Sequence, residues 1–102
     1  MSMDNLNQYN LNQYKGDLIS ILQGRGINSA SSIVKKFCCY IEEYYTVYYS
    51  LNQSDEEYRR ANLSQGKYMG IKLVLDSITS LDLTDRIIEC INLSIRNKSG
   101  AG

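Results

Sequence analysis

The sequence predicts an all-α protein, a small helical bundle built on an antiparallel helical hairpin. Two apolar series with alternating spacings of three and four residues run along the chain, as in helices that pack along one stripe. Only 52–54 separates them, so the second helix must fold back on the first. The chain also lacks proline, which would interrupt long helices. The first series is Val34, Phe37, Ile41, Tyr44, Tyr48 and Leu51, and the second is Ala61, Ser64, Tyr68, Ile71, Leu75 and Ile78.

A first helix is expected at about 9–23. Residues 5–14 repeat the pentapeptide Asn-Leu-Asn-Gln-Tyr, whose period of five fits neither a helix nor a strand. The first copy is therefore expected to be a loose lead-in, and the sequence assigns no role to the repeat. From Leu11 the apolar residues take helical spacing, and Gly24-Arg25-Gly26 ends the helix because glycine tolerates a left-handed conformation.

Capping residues set the hairpin helices at about 29–51 and 55–79. Asn28 and Ser29 offer side-chain oxygens to the start of the first helix. Ser54 and Glu57 form a capping box at the start of the second, and further acidic residues favour its first turn. Folding back is expected to set large rings against small residues, Tyr48 beside Ala61 and Tyr44 beside Ser64.

The pattern of 84–96 leaves helix or strand open. Thr84 can cap a short helix that carries four isoleucines, but apolar and polar residues also alternate near its end, as in a strand. A lone strand would have no partner, which favours the helix. A chain of 102 residues is one domain, spanning 1–102, with 1–8 and 97–102 expected to be flexible.

Both hairpin helices carry more apolar surface than one neighbour covers. On the second, another series lies on the side away from Ile71 and Leu75, formed by Leu63, Gly66, Gly70, Leu73 and Ser77. Each glycine costs a helix about 1 kcal/mol relative to alanine, which suggests a compensating close approach by another helix. Either the first and fourth helices cover these faces, or one face is an intermolecular interface, in a homodimer or with a target protein, or the glycines merely tolerate solvent.

The tyrosine cluster at 40–49 divides between core and surface. Tyr44 and Tyr48 lie on the packing stripe and are expected in the core, whereas Tyr49 is expected to be the most exposed ring. Tyrosine gives large contact area at small entropic cost, which suits interfaces. The interface candidates are Tyr45, Tyr49, Leu63, Gly66, Gly70 and Leu73.

The composition argues against catalysis, cofactors and metal binding. The chain has no histidine, the commonest acid–base group and metal ligand at neutral pH. Cys38 and Cys39 have only Lys35 and Lys36, one turn earlier, to lower a thiol pKa, which is a weak arrangement for redox or nucleophilic chemistry. No apolar run approaches the ~20 residues of a membrane span, and an odd cysteine count suits reduced thiols, so a cytoplasmic location is expected.

A helix-turn-helix over 25–36 is the alternative function, that of a small DNA-binding regulator. In that arrangement cationic side chains would meet phosphates and polar ones would meet base edges. The zero net charge and the lack of a continuous basic stripe argue against it. The candidates for phosphate contact are Arg25, Lys35 and Lys36, and those for base contact are Asn28, Ser29 and Ser32.

Residues 58–75 resemble the second arm of small helical-hairpin proteins carried by phages and other mobile elements. Those proteins often show Gly-Lys followed after a few residues by Val-Leu, here Gly66-Lys67 and Val74-Leu75. The resemblance covers this arm alone and implies an accessory protein that inhibits a host defence or replication protein. Together with the surplus apolar faces it predicts a non-enzymatic protein–protein interaction module. Such a module would act by occlusion, one helix face blocking the partner's normal ligand.

Overall fold

Four α-helices make up the structure, a computed structural model that describes residues 3–79 and 82–98, with side chains from Gln8 onward. They are α1 (Met3–Gly24), α2 (Ala30–Tyr48), α3 (Asp55–Thr79) and α4 (Leu83–Lys98), and no strand occurs in those ranges. The predicted all-α bundle is confirmed. Segment 84–96, for which the sequence allowed helix or strand, is helical.

The helical hairpin is formed by α2 and α3, the pair of helices with the most extensive contact. The capping box forms at the start of α3, where the Ser54 Oγ accepts a hydrogen bond from the Glu57 N–H at 3.1 Å. Along the packing stripe the Tyr68 ring meets the edge of Phe37, with centroids 6.5 Å apart. The Ser64 hydroxyl donates to the Glu43 carboxylate at 2.7 Å. Aromatic packing and this hydrogen bond thus help to hold the two arms together.

The core lies between α2, the central helix, and the pair α1 and α4, which pack on each other and on α2. Burying one large apolar side chain stabilises a fold by about 1.5–3 kcal/mol, so this cluster is the main source of stability. In contrast, α3 makes few contacts with α1 or α4. Its side away from α2 is therefore left without a helical neighbour. Fully buried core side chains are Leu18, Leu22, Val34, Phe37, Ile41 and Ile87.

The expected loose lead-in is wrong within the described residues, because α1 already begins at Met3 and includes both copies of the pentapeptide. Neither copy contains glycine or proline, and extending an existing helix costs far less than nucleating one. At the other end, α4 continues to Lys98, so 97–98 are helical. Residues 1–2 and 99–102, also expected to be flexible, lie outside the described residues.

The end of α1 forms the predicted glycine stop. Gly26 has φ +83°, a left-handed conformation that suits glycine. The N–H of Ile27 bonds to the Leu22 carbonyl at 3.1 Å, and that of Gly26 to the Gln23 carbonyl at 3.0 Å, the pair of bonds of a Schellman motif. Ser29 then occupies the N-cap position of α2 without the predicted side-chain bond.

The predicted exposures of Tyr48 and Tyr49 are reversed. Because α2 ends at Tyr48, the hairpin opens there, leaving Tyr48 59 % exposed and Leu51, expected on the packing stripe, 97 % exposed. Tyr49 instead turns toward α4, is partly buried and donates its hydroxyl to the Asn92 side chain. The sequence pattern of α2 contains no information on where α4 passes.

Thr84 does not cap α4 as expected, because the helix begins one residue earlier. Its buried hydroxyl donates to the Asp76 carboxylate on α3. That carboxylate also accepts from Lys72 at 2.6 Å, and Lys72 lies 3.1 Å from Asp85. Partial burial would raise the pKa of Asp76, but the hydrogen bonds from Lys72 and Thr84 outweigh it and hold the pKa below its usual value. This polar network joins α3 to α4.

Candidate functional site

The outer face of α3, defined as Leu63, Gly66, Gly70 and Leu73, is open to solvent. Leu63 is 64 % exposed and Leu73 72 % exposed. A Cβ added at Gly66 or at Gly70 would meet no atom within 4 Å. Among the described residues, the close approach that the glycines suggested therefore does not occur, and α1 and α4 do not cover the face. Of the three expectations for this face, the intramolecular one is wrong, whereas an intermolecular interface and glycines that merely tolerate solvent stay predictions.

An apolar groove adjoins the outer face and shares its two glycines. This α3 groove has a volume of about 500 Å³ and lies between α3, the turn after α1 and the start of α2. Lys67 is the only charged residue among the described residues that line it. The absence of side chains at the two glycines keeps one wall low. Its lining consists of Leu22, Ile27, Ile33, Gly66, Lys67, Gly70, Ile71, Val74, Leu75 and Ile78.

One cationic side chain lines the α3 groove, and two further cationic residues neighbour its lining residues along the chain. Lys67 lies over the Tyr40 ring, its Nζ 5.2 Å from the ring centroid. Lys36 is exposed and sits between Ile33 and Tyr40 on the same side of α2, and exposed Arg25 stands in the turn between Leu22 and Ile27. The ion pairs found among the described residues include none of these three cations. The surroundings of the groove are therefore basic, although the net charge of the chain is zero.

The sequence identified the glycines of this site but missed the opposite wall. Ile27 follows Gly26, which has the left-handed conformation. An apolar residue at this position often packs back on the last turn of the helix, and Ile27 lies near Leu22 in the groove lining. Ile33 belongs to the surplus apolar surface of α2. Both signals are present in the sequence, but only the folded chain brings them opposite α3.

The two tyrosine candidates for the interface make their contacts within the chain. Burial of Tyr45, followed by the charge and hydrogen bond of Tyr68 on α3, raises the pKa of Tyr45 to about 12. Tyr49 bonds to Asn92 on α4. These rings hold α2 against its neighbours, whereas the four α3 candidates face solvent.

The helix-turn-helix candidates gather where α1 passes into α2, and all six are exposed. Further along the solvent-facing side of α2 come Glu42 and Glu43, both exposed, so the basic surface is short. The other side of α2 is buried in the core, and only its first turns could approach a ligand. These residues are Arg25, Asn28, Ser29, Ser32, Lys35 and Lys36.

Thiol chemistry has little basis in this arrangement. Burial raises the pKa of Cys38 to about 11, only partly opposed by the charge of Lys15, so its thiol is protonated at neutral pH. Burial likewise raises the pKa of Cys90, and Cys39 is the one exposed thiol. Within 3–79 and 82–98, no group of three His, Cys, Asp or Glu residues could hold a metal ion.

A second cavity, of about 450 Å³, lies between α1, α2 and α4. Its lining is mixed, with apolar Leu11 and Ile91 beside polar Thr46 and the opposite charges of Glu42 and Lys98. It lacks the apolar continuity of the α3 groove.

No protein-family model, curated protein or solved structure matches this chain. Of the helices in the described residues, none has the length and apolar character needed to cross a membrane. Any functional assignment therefore depends on the surfaces described above.

Proposed function

We propose that this protein acts by binding another protein, without catalysis, through the outer face of α3 and the α3 groove. The protein would act by occlusion: while a helix of the partner is bound to this surface, that helix is not available to the partner's normal ligand. A role as an inhibitor of a host protein, carried by a phage or mobile element, is supported by the resemblance of 58–75 alone. Three free thiols suit a reducing cytoplasm.

The open apolar surface of α3 is the observation that carries this proposal. Val74 and Met69, 58 % and 45 % exposed, extend the outer face on either side. Contiguous exposed apolar surface on a small protein marks interaction sites. The two glycines each cost the helix about 1 kcal/mol, and none of the residues that the structure describes uses the space they leave. Use of that space by another molecule would explain them.

Capture of proteins by three tagged variants tests the proposal. In a nuclease-treated lysate of the native host, the wild type should retain one protein at about equimolar amount. Gly66→Leu with Gly70→Leu should lose that protein, because two leucine side chains fill the surface. Gly16→Leu is the matched control, since Gly16 is also an exposed helical glycine with no atom within 4 Å of an added Cβ.

Circular dichroism and thermal unfolding must show that the double variant is folded, as the open space at both glycines predicts. If the folded double variant retains the same protein as fully as the wild type, the proposed surface is wrong.

A second candidate function, DNA binding through 25–36, is favoured by one observation. Arg25, Lys35 and Lys36 are exposed, and no ion pair found among the described residues includes them. If they contact phosphates, Lys35→Glu with Lys36→Glu should abolish binding to duplex DNA, and the wild-type affinity should fall steeply with salt. Retained affinity with an unchanged salt dependence would exclude this candidate.

A further inference from the structure

We infer that the α3 groove binds an acidic amphipathic α-helix of the partner protein. The inference rests on the proposed function and specifies the chemistry of its partner. Its basis is the combination of an elongated apolar groove with cationic residues at both of its ends.

The dimensions of the groove suit a short helix. Its wall on α3 runs from Gly66 to Ile78, which is about 18 Å at 1.5 Å per residue. This length corresponds to roughly three turns of a bound helix, with apolar side chains at positions i, i+4 and i+7 pointing into the groove. The missing side chains at Gly66 and Gly70 allow the backbone of such a helix to approach α3 closely.

The distribution of charge selects an acidic helix. Since α2 runs antiparallel to α3, Lys67, which contacts Tyr40, lies toward the Gly66 end of the groove, and Lys36, one turn before Tyr40 on α2, lies beside its middle. Arg25, in the turn before α2, lies toward the Ile78 end. No carboxylate occurs among the described residues that line the groove. An amphipathic helix can place acidic residues at both ends beside its apolar stripe. A fatty acid carries one carboxylate at one end, and nucleic acid has no apolar side to bury.

Two synthetic peptides of about 14 residues, or four helical turns, test this inference. Both carry the same i, i+4, i+7 leucine stripe, one with Glu and the other with Lys at the flanking positions. Fluorescence anisotropy with the full chain should show binding of the Glu peptide and little binding of the Lys peptide. Affinity for the Glu peptide should fall as salt is raised, because exposed charges are screened.

Variants locate the binding on the protein. The double variant Gly66→Leu with Gly70→Leu should weaken binding of the Glu peptide at least about 10-fold because it fills the groove. Val74→Glu alone should weaken that binding by at least as much because it places a negative charge in the groove. Lys67→Glu should weaken it about 3- to 10-fold, the range expected when an exposed attraction becomes a repulsion. Gly16→Leu and Lys35→Glu, which make the same changes away from the groove, should leave the affinity within about twofold.

Several outcomes would overturn the inference. They are equal binding of the two peptides, no binding of the Glu peptide, or unchanged binding by both the double-leucine and the Val74→Glu variants. Two others identify a different occupant. One is binding to phosphatidylserine vesicles that the double-leucine variant abolishes. The other is self-association in sedimentation equilibrium that the double-leucine variant converts to monomer.

Failure of this inference is distinguishable from failure of the proposed function. If the lysate protein depends on Gly66 and Gly70 but is not displaced by the Glu peptide, the proposed function stands and the acidic helix is wrong. If the captured protein does not depend on these glycines, the proposed function itself is wrong, whatever the peptides do.

Discussion

Replacing both glycines of the α3 surface by alanine should make the protein more stable. Gly66 and Gly70 lie in the interior of a 25-residue helix and are exposed. Alanine removes the entropic cost of glycine in a helix, and the added Cβ at either position meets no atom within 4 Å. No steric term therefore opposes the gain in helix propensity.

The expected gain follows from the helix propensities. Each Gly→Ala substitution is worth about 0.8–1 kcal/mol, so the double variant should gain about 1.5–2 kcal/mol in free energy of unfolding. For a domain of this size, such a gain raises Tm by roughly 6–12 °C. It is a sizeable part of the ~5–15 kcal/mol that stabilises a typical domain.

Urea unfolding followed by circular dichroism at 222 nm measures this change, with an unchanged m-value showing that the same transition is compared. Gly16→Ala should gain about 0.8–1 kcal/mol for the same reason. Gly26→Ala should instead lose about 1 kcal/mol, because its left-handed φ of +83° is strained for alanine. A double variant no more stable than the wild type would show that these glycines contact something in the free protein, and the open surface would be wrong.

Three further predictions concern the fold and its side chains. Thr84→Val should cost about 1 kcal/mol at neutral pH by removing the hydrogen bond to Asp76. The lowered pKa of Asp76 stabilises the fold fully above the pKa of the unfolded state, and this stability is lost as the pH falls through the folded-state pKa. The difference in free energy of unfolding between wild type and variant should therefore shrink when denaturation is repeated below pH 4. A constant difference would contradict the network. The raised pKa of Tyr45, about 12 against the ordinary 10.0, implies stability that is complete below pH 10 and lost as the pH rises toward 12. Tyr45→Phe should flatten that loss in unfolding experiments from pH 9 to 12, and an equally steep loss would show that other groups cause it. With Ellman's reagent the native protein should react at Cys39 alone and the denatured protein at all three cysteines; fast native reaction of Cys38 or Cys90 would contradict their burial.

Local signals predicted the helices well, and most accurately where several agreed. The bounds of α3 match the prediction of 55–79, since the Ser54 capping box, the acidic first turn and the apolar spacing all indicated the same segment. The predicted start of α1 at about residue 9 is wrong, because a repeat with a period of five does not exclude a helix when it contains no helix-breaking residue. The predicted end of α2 at about Leu51 is three residues beyond the observed end at Tyr48, because Leu51 continues the apolar spacing past the helix.

Features that depend on the third dimension could not be read from the sequence. The exposures of Tyr48 and Tyr49 depend on the path of α4, which no pattern in α2 specifies. The glycines of α3 indicated a close approach by another helix, but the sequence could not show that no helix among the described residues makes it. The α3 groove combines residues from three helices and one turn, so only its α3 wall was recognisable beforehand.

The most direct test of the α3 groove as a binding site is amide chemical-shift mapping of the ¹⁵N-labelled full chain during titration with the Glu peptide. The largest shifts should cluster on the groove, at Ile27, Ile33, Gly66, Gly70 and Val74. Shifts concentrated instead around the mixed cavity between α1, α2 and α4, or no saturable shifts at all, would contradict the assignment of this groove.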